Sequence, residues 1–280
     1  MASFLNKIGK VLQNLGPKII TTVNISQISN GSILKDKTIV ITGGGRGIGY
    51  AIAEKCISEG AIVIISGRNE TVLKQAVKKL GEHCYYVVYD VSDVENAQNF
   101  LLKCKEVANS TINCVVCNAG VSLHEGNFGN VTIEGFEQQF NTNFKAGYFL
   151  GKAFIEMKIE EHEGDAEYLV ISSETGDMAY DIPYGMTKAA LNSMVGGLSR
   201  RVYQYGIRVN ALAPGLTKTD MTASKDEEMN NLTVKNQASG RKFLPEEVAE
   251  VACFLLSDAS KCISGEIIHC NAGNHKRINF

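Results

Sequence analysis

A serine, a tyrosine and a lysine near the middle of the chain have the types and spacing for proton transfer at an alcohol or ketone oxygen. They lie in Ile171–Lys188, I-S-S-E-T-G-D-M-A-Y-D-I-P-Y-G-M-T-K. Tyr184 and Lys188 stand four residues apart at the head of a helical pattern, so they share one face. A free tyrosine has a pKa near ~10 and is a poor base at neutral pH. A lysine one turn away favours the phenolate, each unit of depression requiring about 1.4 kcal/mol. A serine hydroxyl at the end of the preceding strand can donate to the same substrate oxygen, which completes a general acid/base arrangement. The same spacing recurs at Tyr148 and Lys152, but no strand-end serine precedes it. That pair is expected to be structural.

The elements that must position these groups can be read along the chain. Thr38–Thr42 is a short buried strand running directly into G-G-G-R-G-I-G and then a helical pattern from Tyr50 to Ser58. Strand, glycine turn and helix N-terminus together suit a phosphate. The strict G-x-G-x-x-G fingerprint fails in every register, and no Lys-Ser/Thr follows Gly49 to make a P-loop. What remains is T-G-x-x-x-G-x-G, with Gly43, Gly47 and Gly49. A second strand, Ala61–Ser66, ends in Gly67-Arg68, where an NAD-preferring fold would carry an acid for the ribose 2′-hydroxyl. Arg68, with Arg46 of the glycine turn, fits the 2′-phosphate of NADP instead.

Further strands follow at Cys84–Tyr89, ending in Asp90-Val91, and at Ile112–Cys117, ending in Asn118-Ala119-Gly120. Thr132 to Glu160 is long helical material with Asn143 near its middle, where an asparagine is ordinarily solvated. A sixth strand, Ile207–Ala213, leads into Pro214-Gly215, and Glu266–Cys270 is the last. Leu216–Lys242 is long and polar beside a strand end and reads as a mobile lid. Strands alternating with helices imply an α/β fold, a Rossmann-type doubly wound parallel sheet of about seven strands with helices on both faces. Each motif falls at a strand's carboxyl end, where such folds bind ligands.

The chain has 280 residues, 44% hydrophobic and 21% charged, with a net charge of −2. These values suit a soluble globular protein and carry no whole-chain bias toward nucleic acid or anionic membrane. The eight cysteines are scattered, and Cys114 and Cys117, three apart in a strand, must face opposite sides. They read as reduced core thiols of a cytoplasmic protein. The five histidines show no metal-ligand spacing, and no metal is expected. Residues 1–34 form an amphipathic extension and linker, with Phe4, Leu5, Ile8, Val11, Leu12 and Leu15 in one stripe. That stripe is expected to pack on protein, its own domain or a second subunit, in preference to a membrane surface. Residues 35–280 form the catalytic domain.

Over Lys35 to Ala272 the chain resembles the short-chain dehydrogenase/reductase family, 3-oxoacyl-carrier-protein reductases among them. T-G-G-G-R-G-I-G, D-V, C-N-A-G, the Ser/Tyr/Lys stretch and V-N-A-L-A-P-G occur in the family's order. The resemblance implies a catalytic tetrad of Asn143, Ser173, Tyr184 and Lys188. Tyr184 would be the general acid/base and Ser173 would polarise the carbonyl. Lys188 would bind the nicotinamide ribose and lower the tyrosine pKa, and Asn143 would hold a relay water. Gly43, Arg46, Gly47, Ile48 and Gly49 would line the pyrophosphate end of NADP, and Arg68 its 2′-phosphate. Asp90 and Val91 would lie at adenine, Asn118, Ala119 and Gly120 at the adenosine ribose, and Pro214, Gly215 and Thr219 at the carboxamide, together with Tyr184 and Lys188. The loop from Ser173 to Tyr184 is shorter than is common in the family, which leaves Ser172 as an alternative.

The expected activity is interconversion of a ketone and a secondary alcohol with NADP(H). Glu174, Thr175, Asp177, Asp181 and His124, in the segments expected to line the pocket, point to a polar, sugar-like substrate. The alternatives are 3-oxoacyl-[acyl-carrier-protein] reduction, with Arg200-Arg201 as a docking patch, and a non-catalytic NADP-binding scaffold. A homodimer or homotetramer is implied by the resemblance, with no nucleic-acid partner.

Overall fold

The computed structural model describes residues 31–223 and 232–276. The expected extension and its apolar stripe lie outside the described residues, as does residues 224–231 of the expected lid.

Seven strands form one parallel sheet in the order β3-β2-β1-β4-β5-β6-β7. They are β1 (Thr38–Thr42), β2 (Ile62–Gly67), β3 (Cys84–Val88), β4 (Cys114–Cys117), β5 (Ala166–Ile171), β6 (Ile207–Pro214) and β7 (Ile267–Cys270). The chain leaves β1 first toward β2 and β3, then returns to lay β4 against its other side, with Ile41 opposite both Ile65 and Val116. That reversal opens a crevice at the carboxyl ends of β1 and β4.

Both faces of the sheet are covered, so the central strands read as continuous apolar runs rather than alternating ones. On one face Val40, Val115 and Tyr168 pack with α3 (Ala97–Ala108), α5 (Ala146–Glu160) and α6 (Pro183–Val202), chiefly through Leu101, Phe154 and Val195. On the other, Ile41, Val116 and Leu169 meet α1 (Gly47–Ser58), α2 (Glu70–Leu80) and α7 (Pro245–Leu256) through Ile52, Leu73 and Leu255. A short α4 (Ile133–Gln139) precedes α5, joined to it by a π-helical segment, Phe140–Lys145. The period of two separates Cys114 and Cys117, which belong to opposite cores. The thiols of Cys56, Cys104 and Cys253 are buried as well, and burial raises the pKa of each. Tyr148, by contrast, is exposed, and Lys152 pairs with Glu156 at 2.9 Å.

At the amino ends of the strands a charged pair is sealed inside. Glu167 of β5 lies opposite Arg208 of β6, 3.0 Å away. Arg208 also donates to the carbonyls of Leu255 and Ser260, and Asn210 donates to Glu167. Burial still pushes the Glu167 carboxyl up to about 7 against the pull of Arg208. Removing one partner of such a pair costs about 3–5 kcal/mol. Arg208→Met is therefore expected to lower the unfolding free energy, measured by urea titration at pH 8, by that amount. The loss should shrink at pH 5, where Glu167 takes a proton and leaves no bare charge. Equal losses at both pH values would show that packing, not charge, is responsible.

Candidate active site

The glycine turn is shaped by how closely β1 and β4 approach beyond their ends. Gly43 has φ +65°, and a Cβ there would meet the Ala119 backbone and the Asn118 amide at 3.0 Å. Gly49 lies deeper: its Cβ would fall 2.5 Å from Asn118 Nδ2 and 2.6 Å from the Gly43 carbonyl. Asn118 explains the crowding, because its Nδ2 donates to the carbonyls of Thr42 and Gly43. Thr42 Oγ1 in turn accepts from the backbone of Asn118 and Ala119. These bonds lock the turn to β4 and leave the first backbone N–H groups of α1, starting at Gly47, free of helical partners.

Around this turn opens a cleft of roughly 810 Å³. It is lined by Gly43, Arg46, Gly47, Ile48, Arg68, Asp90, Val91, Asn118, Ala119, Gly120, Ser173, Tyr184, Lys188, Pro214, Gly215 and Thr219. Two sequence-based expectations fall outside it. Gly49 is behind the turn, where its missing side chain makes room for Asn118 rather than for a ligand. Asn143 is buried one layer below, its Oδ1 accepting from Val121 N at 2.8 Å and its Nδ2 donating to Val121 O and Thr187 Oγ1. The π-helical segment turns it inward, so the solvated position expected from helical spacing is wrong. A Cβ on Gly120 would nonetheless be 3.3 Å from Asn143 Oδ1 and 3.8 Å from Lys188 Nζ, so the three converge.

Sequence reasoning missed Ser66, Thr217 and Met221, which also line the cleft. Ser66 ends a strand of apolar residues and carried no signal. Its Oγ is buried without a protein partner. Arg46 and Arg68 flank the same end. Arg46 is exposed and pairs with Asp220 at 3.2 Å. Asp90 is held below the usual carboxylate range: burial opposes this, but Ser92 and the Arg68 charge prevail.

The reacting end is built by β5 and α6. Pro183 starts α6, and Tyr184 and Lys188 follow on one face, the Lys188 Nζ 5.6 Å from the Tyr184 ring centre. The ammonium is buried and donates to the Ile171 carbonyl at 2.8 Å. Burial lowers its pKa to about 8. Tyr184 moves the other way: burial raises its pKa, and the hydrogen-bonded Ser173 hydroxyl only partly offsets this. Burial thus outweighs the Ser173 hydrogen bond at the tyrosine. Of the two serines, Ser173 is the one beside Tyr184. Ser172 Oγ donates to Asn192 Oδ1 at 2.6 Å and is committed to α6.

The acids expected in the substrate pocket are turned away from it. Glu174 accepts from Asn274, Asp177 meets His269 and Asn192, and Asp181 accepts from Phe128 N. Of the five residues behind the sugar-like expectation, only His124 lines the cleft. The side chains left exposed on the surrounding segments include Leu123, Phe128, Tyr180, Met186 and Met221.

Comparison with known proteins agrees with this arrangement. A family model described as enoyl-(acyl carrier protein) reductase matches residues 43–275. The 3-oxoacyl-[acyl-carrier-protein] reductase of Rickettsia conorii is 34% identical over 242 residues, covering 86% of this chain and 97% of the relative. Among solved structures, a putative gluconate dehydrogenase from Agrobacterium tumefaciens superposes with a TM-score of 0.79 at 25% identity, covering 88% of this chain and all of the other (100%). A short-chain type dehydrogenase/reductase from Mycobacterium ulcerans gives 0.78 at 27%, with 86% and 90% covered. The chain belongs to the short-chain dehydrogenase/reductase family. It is accordingly an oxidoreductase acting on CH–OH groups.

Proposed function

We propose that the protein reduces a 3-oxoacyl thioester, presented on an acidic carrier protein, to the 3-hydroxyacyl product with NADPH. The observation that carries this reading is that Glu174, Asp177 and Asp181 bond to protein partners and do not line the cleft, whereas Met221 lines it and Leu123 and Phe128 are exposed on the segments around it. Such a surround suits an acyl chain better than a sugar. The 34% identity to a 3-oxoacyl-[acyl-carrier-protein] reductase supports the same choice.

The cleft fits a dinucleotide. Gly43 and Gly47 provide positive-φ backbone, with no room for a Cβ at Gly43, the α1 N-terminus offers free N–H groups to a pyrophosphate, and the Ser66 hydroxyl lacks a partner. Arg46 and Arg68 would hold the 2′-phosphate, Asp90 and Val91 the adenine, and Lys188 and Thr219 the nicotinamide end. When bound, the cofactor supplies a hydride for the carbonyl carbon. Ser173 donates a hydrogen bond to the ketone oxygen, and Tyr184 gives it a proton as negative charge develops there. Lys188 holds a positive charge beneath both, with Asn143 close enough to share a relay water.

The basic pair Arg200-Arg201 falls in the last turn of α6, about 24 Å of helix from Tyr184 by a rise of 1.5 Å per residue. It is therefore not at the reacting end, and a carrier docked there would have to reach Tyr184 through its acyl arm. The exposed Leu102, Phe136 and Phe149 on α3, α4 and α5 support a homodimer or homotetramer.

A substrate panel decides the reading. NADPH consumption is expected with 3-oxoacyl thioesters, faster on a carrier protein than on coenzyme A, and not with keto-sugars. Turnover of keto-sugars alone would restore the polar-substrate reading, and none with any carbonyl would favour a non-catalytic scaffold. Cofactor preference has its own test. Charge-assisted bonds are each worth roughly 1.5–3 kcal/mol, so Arg68→Ala should raise the NADPH dissociation constant about tenfold or more and leave NADH nearly unchanged. Fluorescence titration of both cofactors measures this, and equal wild-type affinities would refute the preference.

A further inference from the structure

The turn that follows β5 carries Ser173 and is gripped from two sides by groups the reaction does not use. Ser173 caps the turn, accepting from Thr175 N at 3.3 Å. Gly176 lets it lie directly on α6: a Cβ there would be 2.8 Å from Asn192 Nδ2 and 3.0 Å from the Lys188 carbonyl. The turn therefore rests on the helix that bears Tyr184 and Lys188, at Lys188 itself and one turn beyond it. Contact alone does not fix how the turn is rotated on that helix.

Asp177 supplies that restraint. Its Oδ1 accepts from Asn192 Nδ2 at 3.1 Å, and Asn192 Oδ1 accepts from Ser172 Oγ at 2.6 Å, the residue next to Ser173. Its Oδ2 meets Nε2 of His269 on β7, and the His269 ring stacks on His275 with centroids 3.7 Å apart. Asn274, in the same carboxy-terminal turn as His275, donates to Glu174. Neither Asp177 nor His269 lines the cleft.

We infer that Asp177 is a positioning residue: bridging His269 of β7 and Asn192 of α6, it sets the orientation in which Ser173 is presented to Tyr184. The inference rests on the proposed carbonyl reduction by Ser173 and Tyr184, and not on which ketone is reduced. A misplacement of about 1 Å at a reacting group can cost up to about 100-fold in rate. The carboxylate and a carboxamide can both bridge, because asparagine keeps an oxygen for Asn192 and offers an N–H to a neutral His269.

The test uses full-length protein and a ketone that the wild type reduces. Asp177→Ala is expected to lower kcat about 10- to 100-fold, while KM for the ketone and the stoichiometry and affinity of NADPH stay as in the wild type. His269→Ala should reproduce much of that loss, and Asp177→Asn should recover most of it. Loss of NADPH affinity in step with kcat would mean that α6 itself is loosened, and the role would be merely structural. Wild-type kcat in Asp177→Ala, or an Asp177→Asn variant as impaired as the alanine, would overturn the inference while leaving the proposed function standing. A wild type that reduces no carbonyl would instead overturn the function, and the positioning role with it.

Discussion

Tyr184→Phe is expected to lower turnover by about 10²–10⁴-fold, the usual worth of a positioned general acid, with the NADPH dissociation constant near its wild-type value. The phenylalanine keeps the ring that packs at the head of α6 and removes only the hydroxyl beside Ser173. Burial raises the tyrosine pKa in the ligand-free protein, so the proton is held throughout the neutral range. That is the state needed to donate to an oxygen gaining charge. Tyr148→Phe is the control, because Tyr148 is exposed on α5 and its partner by spacing, Lys152, pairs with Glu156. Steady-state kinetics on both variants, with cofactor affinity measured separately, decide the matter. Turnover in Tyr184→Phe equal to wild type would remove the tyrosine from the mechanism.

What could be read from the chain was whatever depends on local spacing. Tyr184 and Lys188 share a helical face, Gly43 and Gly47 mark positive-φ backbone, and the strand period puts Cys114 and Cys117 in separate cores. The order of alternating strands and helices was enough for a doubly wound sheet. Most of the misreadings involve partners distant in sequence. Asn143, which the resemblance puts in the tetrad although a mid-helix asparagine is ordinarily solvated, is brought by the π-helical segment under Val121, 22 residues away. Glu174 and Asp177 looked like substrate ligands because their partners, Asn274 and His269, lie 100 and 92 residues further on. Gly49 looked like part of a phosphate cradle, but the close neighbour that demands glycine there is Asn118. Spacing finds residues that can do chemistry; only packing shows which are already occupied.

Lys188→Met is expected to damage turnover and NADPH binding together, and also to change how stability depends on pH. In the folded protein burial brings the Lys188 pKa down to about 8, against 10.5 for a solvated lysine. Below pH 8 folded and unfolded chains both hold the proton, and this group adds no pH dependence. Between pH 8 and 10.5 the unfolded chain binds more protons than the folded one, so stability rises with pH. Each unit across that window is worth about 1.4 kcal/mol, and the whole shift roughly 3 kcal/mol. At neutral pH the wild type bears that cost as the strain of an ammonium kept in the core, relieved only in part by its bond to the Ile171 carbonyl. Methionine has no charge to bury, so its stability lacks this component. Urea unfolding of both proteins at pH 7, 8, 9 and 10 isolates it by difference. The wild type should gain on the variant by roughly 2 kcal/mol from pH 8 to 10, and by little from 7 to 8. A difference that stays flat with pH would mean the lysine is solvated in the folded protein. It would then sit too far out in water to hold its charge beneath Tyr184.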